Sequence, residues 1–199
     1  MKKILIVAAA LLCLSGTAMA QRHIEFRWHG LYCVGDASFA FNVNRSSETG
    51  IADTVAGFMP SVSAGYQFRK EAAVGLGFSY LADPTGGFTQ MPIFFELRSH
   101  FMRSRLTPYT VLQVGYTLPL GSSSEPPSTK IEEGGLYLGI EVGGRYAINR
   151  SFAVGLHGGY KMLYSNKVQR TDALNVPILT ESVGLSMINF GVSVYLGGD

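Results

Sequence analysis

Cysteine is nearly absent from this chain: there are two, Cys13 and Cys33, in 199 residues. Cys13 lies in an amino-terminal stretch that reads as a cleavable leader, so one thiol remains in the mature chain. A single cysteine makes neither an intramolecular disulfide nor a cysteine-based metal site. Charge is sparse as well, at 15 % of residues. Lys2 and Lys3 belong to the leader, so the sixteen basic residues fall to fourteen, against fourteen acidic ones. A mature chain of zero net charge has no electrostatic footprint for nucleic acid. After the leader no apolar run approaches the roughly eighteen residues of a spanning helix. Helical periodicity is missing after residue 20 too, which excludes a helical bundle.

The leader begins Met1-Lys2-Lys3, continues as an apolar run over 4–14 and ends Ser15-Gly16-Thr17-Ala18-Met19-Ala20. A basic start, a short apolar core and an Ala-x-Ala ending describe a secretory signal. Leu12 precedes Cys13 where lipoprotein processing expects a small residue. Cleavage is therefore predicted after Ala20, giving a signal over 1–20 and one domain over 21–199.

What the chain does have is glycine, 24 residues of it, and 12 % aromatics, set in an alternating pattern. In Ala73-Val74-Gly75-Leu76-Gly77-Phe78-Ser79-Tyr80 the bulky residues fall on even numbers, with Gly and Ser between them. Successive side chains of a strand point to opposite faces, so one face is bulky and the other nearly bare. Strands are predicted over 30–44, 58–68, 72–81, 89–101, 107–118, 136–148, 152–164 and 183–196. Tight connections at 69–71, 102–106 and 149–151 alternate with longer ones at 45–57, 82–88, 119–135 and 165–182. Short periplasmic turns and longer external loops give that asymmetry in outer-membrane barrels.

The bulky rows tend to begin and end in aromatics. Phe58, Tyr80, Tyr116 and Tyr164 lie near the long loops, and Phe68, Phe101, Tyr146 and Phe152 near the tight turns. From Phe152 to Tyr164 a strand climbs about 40 Å, or about 28 Å when tilted at about 45°, close to the hydrocarbon thickness of a bilayer. The fold class predicted is all-β: an eight-stranded antiparallel up-and-down transmembrane barrel. Cys33 then fills a small place on the lipid-facing row. The rival is a soluble secreted β-sandwich or lipocalin-like binder with the bulky face as its core. Its other face should be dense in Lys, Glu and Thr, with charge guarding the edges. Here that face is mostly Gly and Ser, which suits the narrow lumen of an eight-stranded barrel.

Three pieces carry a family resemblance: the strand–turn–strand unit Gly65-Tyr66-Gln67-Phe68-Arg69-Lys70-Glu71-Ala72-Ala73-Val74-Gly75-Leu76-Gly77; Leu106-Thr107-Pro108-Tyr109 opening a strand that reaches Gly115-Tyr116; and the closing Ile188-Asn189-Phe190-Gly191-Val192-Ser193-Val194-Tyr195-Leu196. In their order and spacing the chain resembles the small eight-stranded outer-membrane barrels, the OmpX-like proteins and the membrane domain of OmpA, grouped under "outer membrane protein beta-barrel domain" in the porin family. The resemblance implies residence in the Gram-negative outer membrane, contact with its lipid, and insertion by the barrel-assembly machinery. The family's last strand usually ends in a terminal aromatic; here Leu196-Gly197-Gly198-Asp199 follows Tyr195.

The parity turns Asp36, Glu96, Arg98, His100, Glu141, Arg145, His157 and Lys161 into the lumen. Counting from the tight connections sets Glu141 opposite His157 and Glu96 beside Gln113, where side chains can meet. An isolated charge in such a space is costly, so these groups are expected to pair as a structural polar network. The alternative is a gate, in which His157 takes a proton and Glu141 rearranges to admit small ions. No histidine occurs in the four long connections; the four lie at 23, 29, 100 and 157. Without a base beside an accessible nucleophile there is no activated serine, and no metal-spaced cluster or phosphate-cradling loop is seen. A non-enzymatic monomer without cofactor or metal is expected. Its role is structural or a surface interaction through loops bearing Arg45, Glu48, Asp53, Lys130, Glu132, Glu133, Lys167 and Arg170. A small gated ion channel, or an accessory barrel of a secretion or envelope-assembly system, is the alternative.

Overall fold

The computed structural model describes residues 29–43, 56–69, 71–82, 88–122, 128–171 and 177–197. The predicted leader lies outside the described residues, as do Arg45, Glu48 and Asp53. Ten strands follow in order: β1 Gly30–Asn42, β2 Ala56–Arg69, β3 Ala72–Ser79, β4 Leu81–Ala82, β5 Phe88–His100, β6 Leu106–Ser122, β7 Ser128–Glu133, β8 Gly135–Ala147, β9 Phe152–Thr171 and β10 Pro177–Gly197. Both β3 and β4 pair β2 on one side and β5 on the other, so together they make one stave interrupted at Tyr80. Each stave pairs antiparallel with its neighbour in sequence, and β1 pairs both β2 and β10. The sheet therefore closes on itself: eight staves, up and down, with no free edge around the wall.

Closure makes the alternation an inside–outside code. Leu76, Phe78, Leu112, Val114, Leu138, Ile140, Val142, Leu156, Phe190 and Val192 are exposed on the outer wall. Phe58, Tyr80, Tyr116 and Tyr164 rim that belt at one end, and Phe68, Phe101 and Tyr146 at the other. So large a contiguous apolar exterior, edged by aromatics, is the pattern that barrels solvated by lipid carry. Cys33 is a half-buried free thiol on this wall, between Ala64 and Leu196 of the flanking strands.

The tight connections are built locally. Asn149 Oδ1 accepts hydrogen bonds from the amides of Ser151 and Phe152, at 2.9 and 2.7 Å, in the turn between β8 and β9. Two of the longer connections are shorter than the sequence pattern predicts. Strand β6 runs on to Ser122, and β7 forms within 119–135. β9 and β10 continue their pairing as far as Thr171 and Pro177, with β7 hydrogen-bonded to β9 alongside. The prediction rests on a bulky outward row, and Ser165-Asn166-Lys167-Val168-Gln169-Arg170-Thr171 has none. This places Lys130, Glu132 and Glu133 on β7, and Lys167 and Arg170 on β9.

Glycine on the inner face makes room for neighbours. A Cβ at Gly75 would stand 2.5 Å from Tyr32 Oη and 2.9 Å from the Ala64 carbonyl oxygen. One at Gly77 would meet the Phe94 ring at 2.7 Å, and one at Gly143 the Tyr109 ring at 2.6 Å. Gly75→Val should therefore cost about 1–3 kcal/mol through overpacking, read as a lower urea midpoint for loss of the compact, heat-modifiable band on a gel. An unchanged midpoint would mean that the lumen has slack there.

Candidate functional site: the barrel lumen

The lumen is filled in three tiers. Toward the tight turns, Val34, Tyr109, Val111, Ala147, Ala153 and Tyr195 form one apolar cluster, with Tyr32 packed against it. Toward the longer connections a second cluster includes Met59, Leu81, Phe94, Tyr137, Leu163 and Met187. Arg98, His100 and Arg145 pack against Tyr109 and Tyr195 of the first cluster and Lys161 reaches Met59 of the second, while Asp36, Glu96, Glu141 and His157 lie between.

Glu96 is a hub. It accepts hydrogen bonds from Tyr32 at 2.8 Å, Ser63 at 3.1 Å and Arg98 Nη2 at 3.2 Å. Arg98 also donates to the Tyr195 hydroxyl at 2.8 Å and lies over the Tyr109 and Tyr195 rings, 5.5 and 5.2 Å from their centroids. Arg145 stacks on the Tyr195 ring, 5.5 Å from its centroid, while His100 packs against Tyr109. These are guanidinium–aromatic contacts that stay favourable once water is gone.

A second pair sits on β8 and β9. Lys161 Nζ reaches Glu141 Oε1 at 2.9 Å, and Asn189 Nδ2 donates to the same oxygen at 3.2 Å. Gln113 accepts from the Tyr137 hydroxyl at 2.8 Å. Asp36, its side chain largely buried, accepts from Ser61 at 3.2 Å and stands 3.9 Å from His157 Nδ1. The same nitrogen of His157 is 2.8 Å from Ser193 Oγ.

The eight residues that parity turns inward, and Gln113 with them, line the lumen: the Asp36 side chain largely buried, and Glu96, Arg98, His100, Gln113, Glu141, Arg145, His157 and Lys161 buried. Glu96 does face Gln113 across β5 and β6, although their side chains bond elsewhere. The expected pairing of Glu141 with His157 is corrected by the register. Glu141 faces Gly159, and His157 faces Gly143. The turn is centred on Arg150 rather than Asn149, since Ala147 pairs Ala153 around the Asn149 cap. A one-residue error in the centre moves each partner by two residues and leaves the face unchanged. Glu141 consequently pairs with Lys161, and His157 with Asp36 and Ser193.

Parity alone does not single out the inward aromatics Tyr32, Phe94, Tyr109, Tyr137 and Tyr195. They share the rows of the small residues, and the signal for them was the glycine next door. The trio Ser193, His157 and Asp36 has the residue types of a nucleophilic relay but not its geometry. Serine and carboxylate address the same nitrogen, and His157 Nε2 has no hydrogen-bond partner among the described residues. A relay needs one partner on each side of the ring. Among the described residues no three of His, Cys, Asp and Glu gather as metal ligands.

No family model matches the chain, and no curated protein does. Solved structures are similar in fold. The crystal structure of Neisserial surface protein A superposes with a TM-score of 0.58 at 22 % identity, over 85 % of this chain and 97 % of that one. The outer membrane protein OprG from Pseudomonas aeruginosa gives 0.57 at 14 % identity, over 88 % and 100 %. The outer membrane protein AlkL, solved by solid-state NMR in DMPC bilayers, gives 0.52 at 14 %, over 90 % and 94 %.

Proposed function

We propose that this chain is a monomeric, non-enzymatic outer-membrane barrel with a sealed lumen, which acts at the cell surface through the sheet it raises above the membrane. The observation that carries this reading is the continuation of β9 and β10, with β7 beside them, past the aromatic rim at Tyr164. Seven residues of strand beyond that rim run about 23 Å along the strand, or about 16 Å of height when tilted at about 45°. A sheet of that length presents a fixed surface to another cell or molecule at lower entropic cost than a free loop. The two apolar tiers and the paired charges between them support the sealed lumen, because an ion would have to displace both.

In planar bilayers the purified protein should give no stepwise conductance, and steady openings would favour the gated channel instead. Cells displaying the intact protein should attach to an epithelial layer, or to one another, more than cells whose barrel has a β9–β10 hairpin cut back to Tyr164 and Gly184. Equal attachment, with both barrels inserted, would overturn the surface role.

A further inference from the structure

We propose that the tight-turn end of staves β5, β6, β8 and β9 holds one anionic phospholipid, its phosphodiester at Arg103, Arg105 and Arg150 and one acyl chain in a groove on the wall beyond them, an inference that rests on the barrel being embedded in a membrane. The two turns that bear these arginines are tied together. Ala147 N donates to the Arg105 carbonyl at 2.8 Å, and Leu106 pairs with Tyr146.

Arg105 is set in place. Its Nε donates to the Ala147 carbonyl at 3.1 Å, and its guanidinium carbon stands 5.1 Å from the centroid of the Tyr146 ring. Arg103, two residues earlier, and Arg150, in the joined turn, are exposed. Neither turn contains an acidic residue, and among the described residues none of the three arginines has a carboxylate partner. Three guanidiniums on two joined turns, one of them over a rim tyrosine, supply the charge and the hydrogen-bond donors that a phosphate takes.

The same four staves carry a depression of about 510 Å³ on the outer wall, lined by Leu97, Leu112, Leu138, Ile140, Tyr160 and Met162 among others. That volume falls within the range of about 300–1,000 Å³ common to small-molecule sites. Between the turns and the depression the lipid-facing row of β8 has a gap at Gly144. A Cβ there would meet only Leu106 Cδ1, at 3.9 Å. The path from Leu106 to Leu112 is about 20 Å along the strand, a length that an acyl chain spans.

The test uses bilayers of phosphatidylcholine holding trace spin-labelled phosphatidylglycerol or spin-labelled phosphatidylcholine, with the fraction of immobilised label read by EPR. Phosphatidylglycerol should associate about fivefold more strongly at low salt, and less so at high salt. The triple variant R103Q/R105Q/R150Q should bring the two lipids level. Gly144→Leu keeps every charge and fills the gap, and it should reduce the immobilised phosphatidylglycerol as well.

Equal association in the unaltered protein, or a preference that survives the triple variant, would overturn the site. A preference untouched by Gly144→Leu would overturn the two-part site and leave only a charged collar. Every sample is first checked for heat-modifiable mobility. A protein that does not insert would sink the membrane reading itself, whereas one that inserts without preference sinks this inference alone.

Discussion

Leu76→Arg should destabilise the bilayer-embedded barrel by about 2–4 kcal/mol, the cost of a guanidinium on the lipid face near the midplane. Leu76 is 67 % exposed, midway along its stave between the tight turn and Tyr80. On a water-facing surface the same change would stay within about 0.5 kcal/mol, because an exposed arginine on a strand needs no desolvation. The two environments thus differ by more than the error of a urea titration in vesicles, read as loss of the compact band. Leu156→Arg, at a site 68 % exposed on β9, should repeat the result half the barrel away. A cost below about 0.5 kcal/mol at both positions would put this face in water and revive the soluble barrel.

The sign of that prediction was legible in the alternation of Val74, Leu76, Phe78 and Tyr80 against Gly75, Gly77 and Ser79. Parity is a local property, so a single strand reveals it without knowledge of its neighbours. Register is not local. The pairing of Glu141 with Lys161, and of His157 with Asp36, depends on where a five-residue turn is centred, which the Asn149 cap decides. The aromatics in the lumen were hidden for a related reason. Tyr109 fits inside because Gly143 of β8 has no side chain, and the partner of a small residue is known only once strands are paired. Beyond the apolar belt the hydrophobic signal fades, and there backbone pairing extends β9 and β10.

Breaking the Glu141–Lys161 pair from either side should cost about 3–5 kcal/mol, the range for leaving one buried charge without its partner. Glu141→Leu would leave the Lys161 ammonium without a carboxylate, beside the Tyr137 hydroxyl and the Met59 sulfur, 4.0 Å from its Nζ. Lys161→Met would leave the Glu141 carboxylate with the Asn189 amide. The double variant Glu141→Leu/Lys161→Met replaces both charges with apolar side chains of similar size, and its stability should recover to within the roughly 1–3 kcal/mol that the buried Asn189 amide loses with its acceptor. The cycle then gives a coupling energy of several kcal/mol. Its size reports on water in the lumen, and therefore on function. Ion pairs in contact with solvent couple by only about 0.2–1 kcal/mol, since water stands in for the missing partner. Coupling that small would mean a hydrated interior continuous enough to screen the pair, which is the condition for a conducting path. Large coupling means a dry tier that no hydrated ion crosses, and it leaves the outer sheet as the part of the molecule free to act.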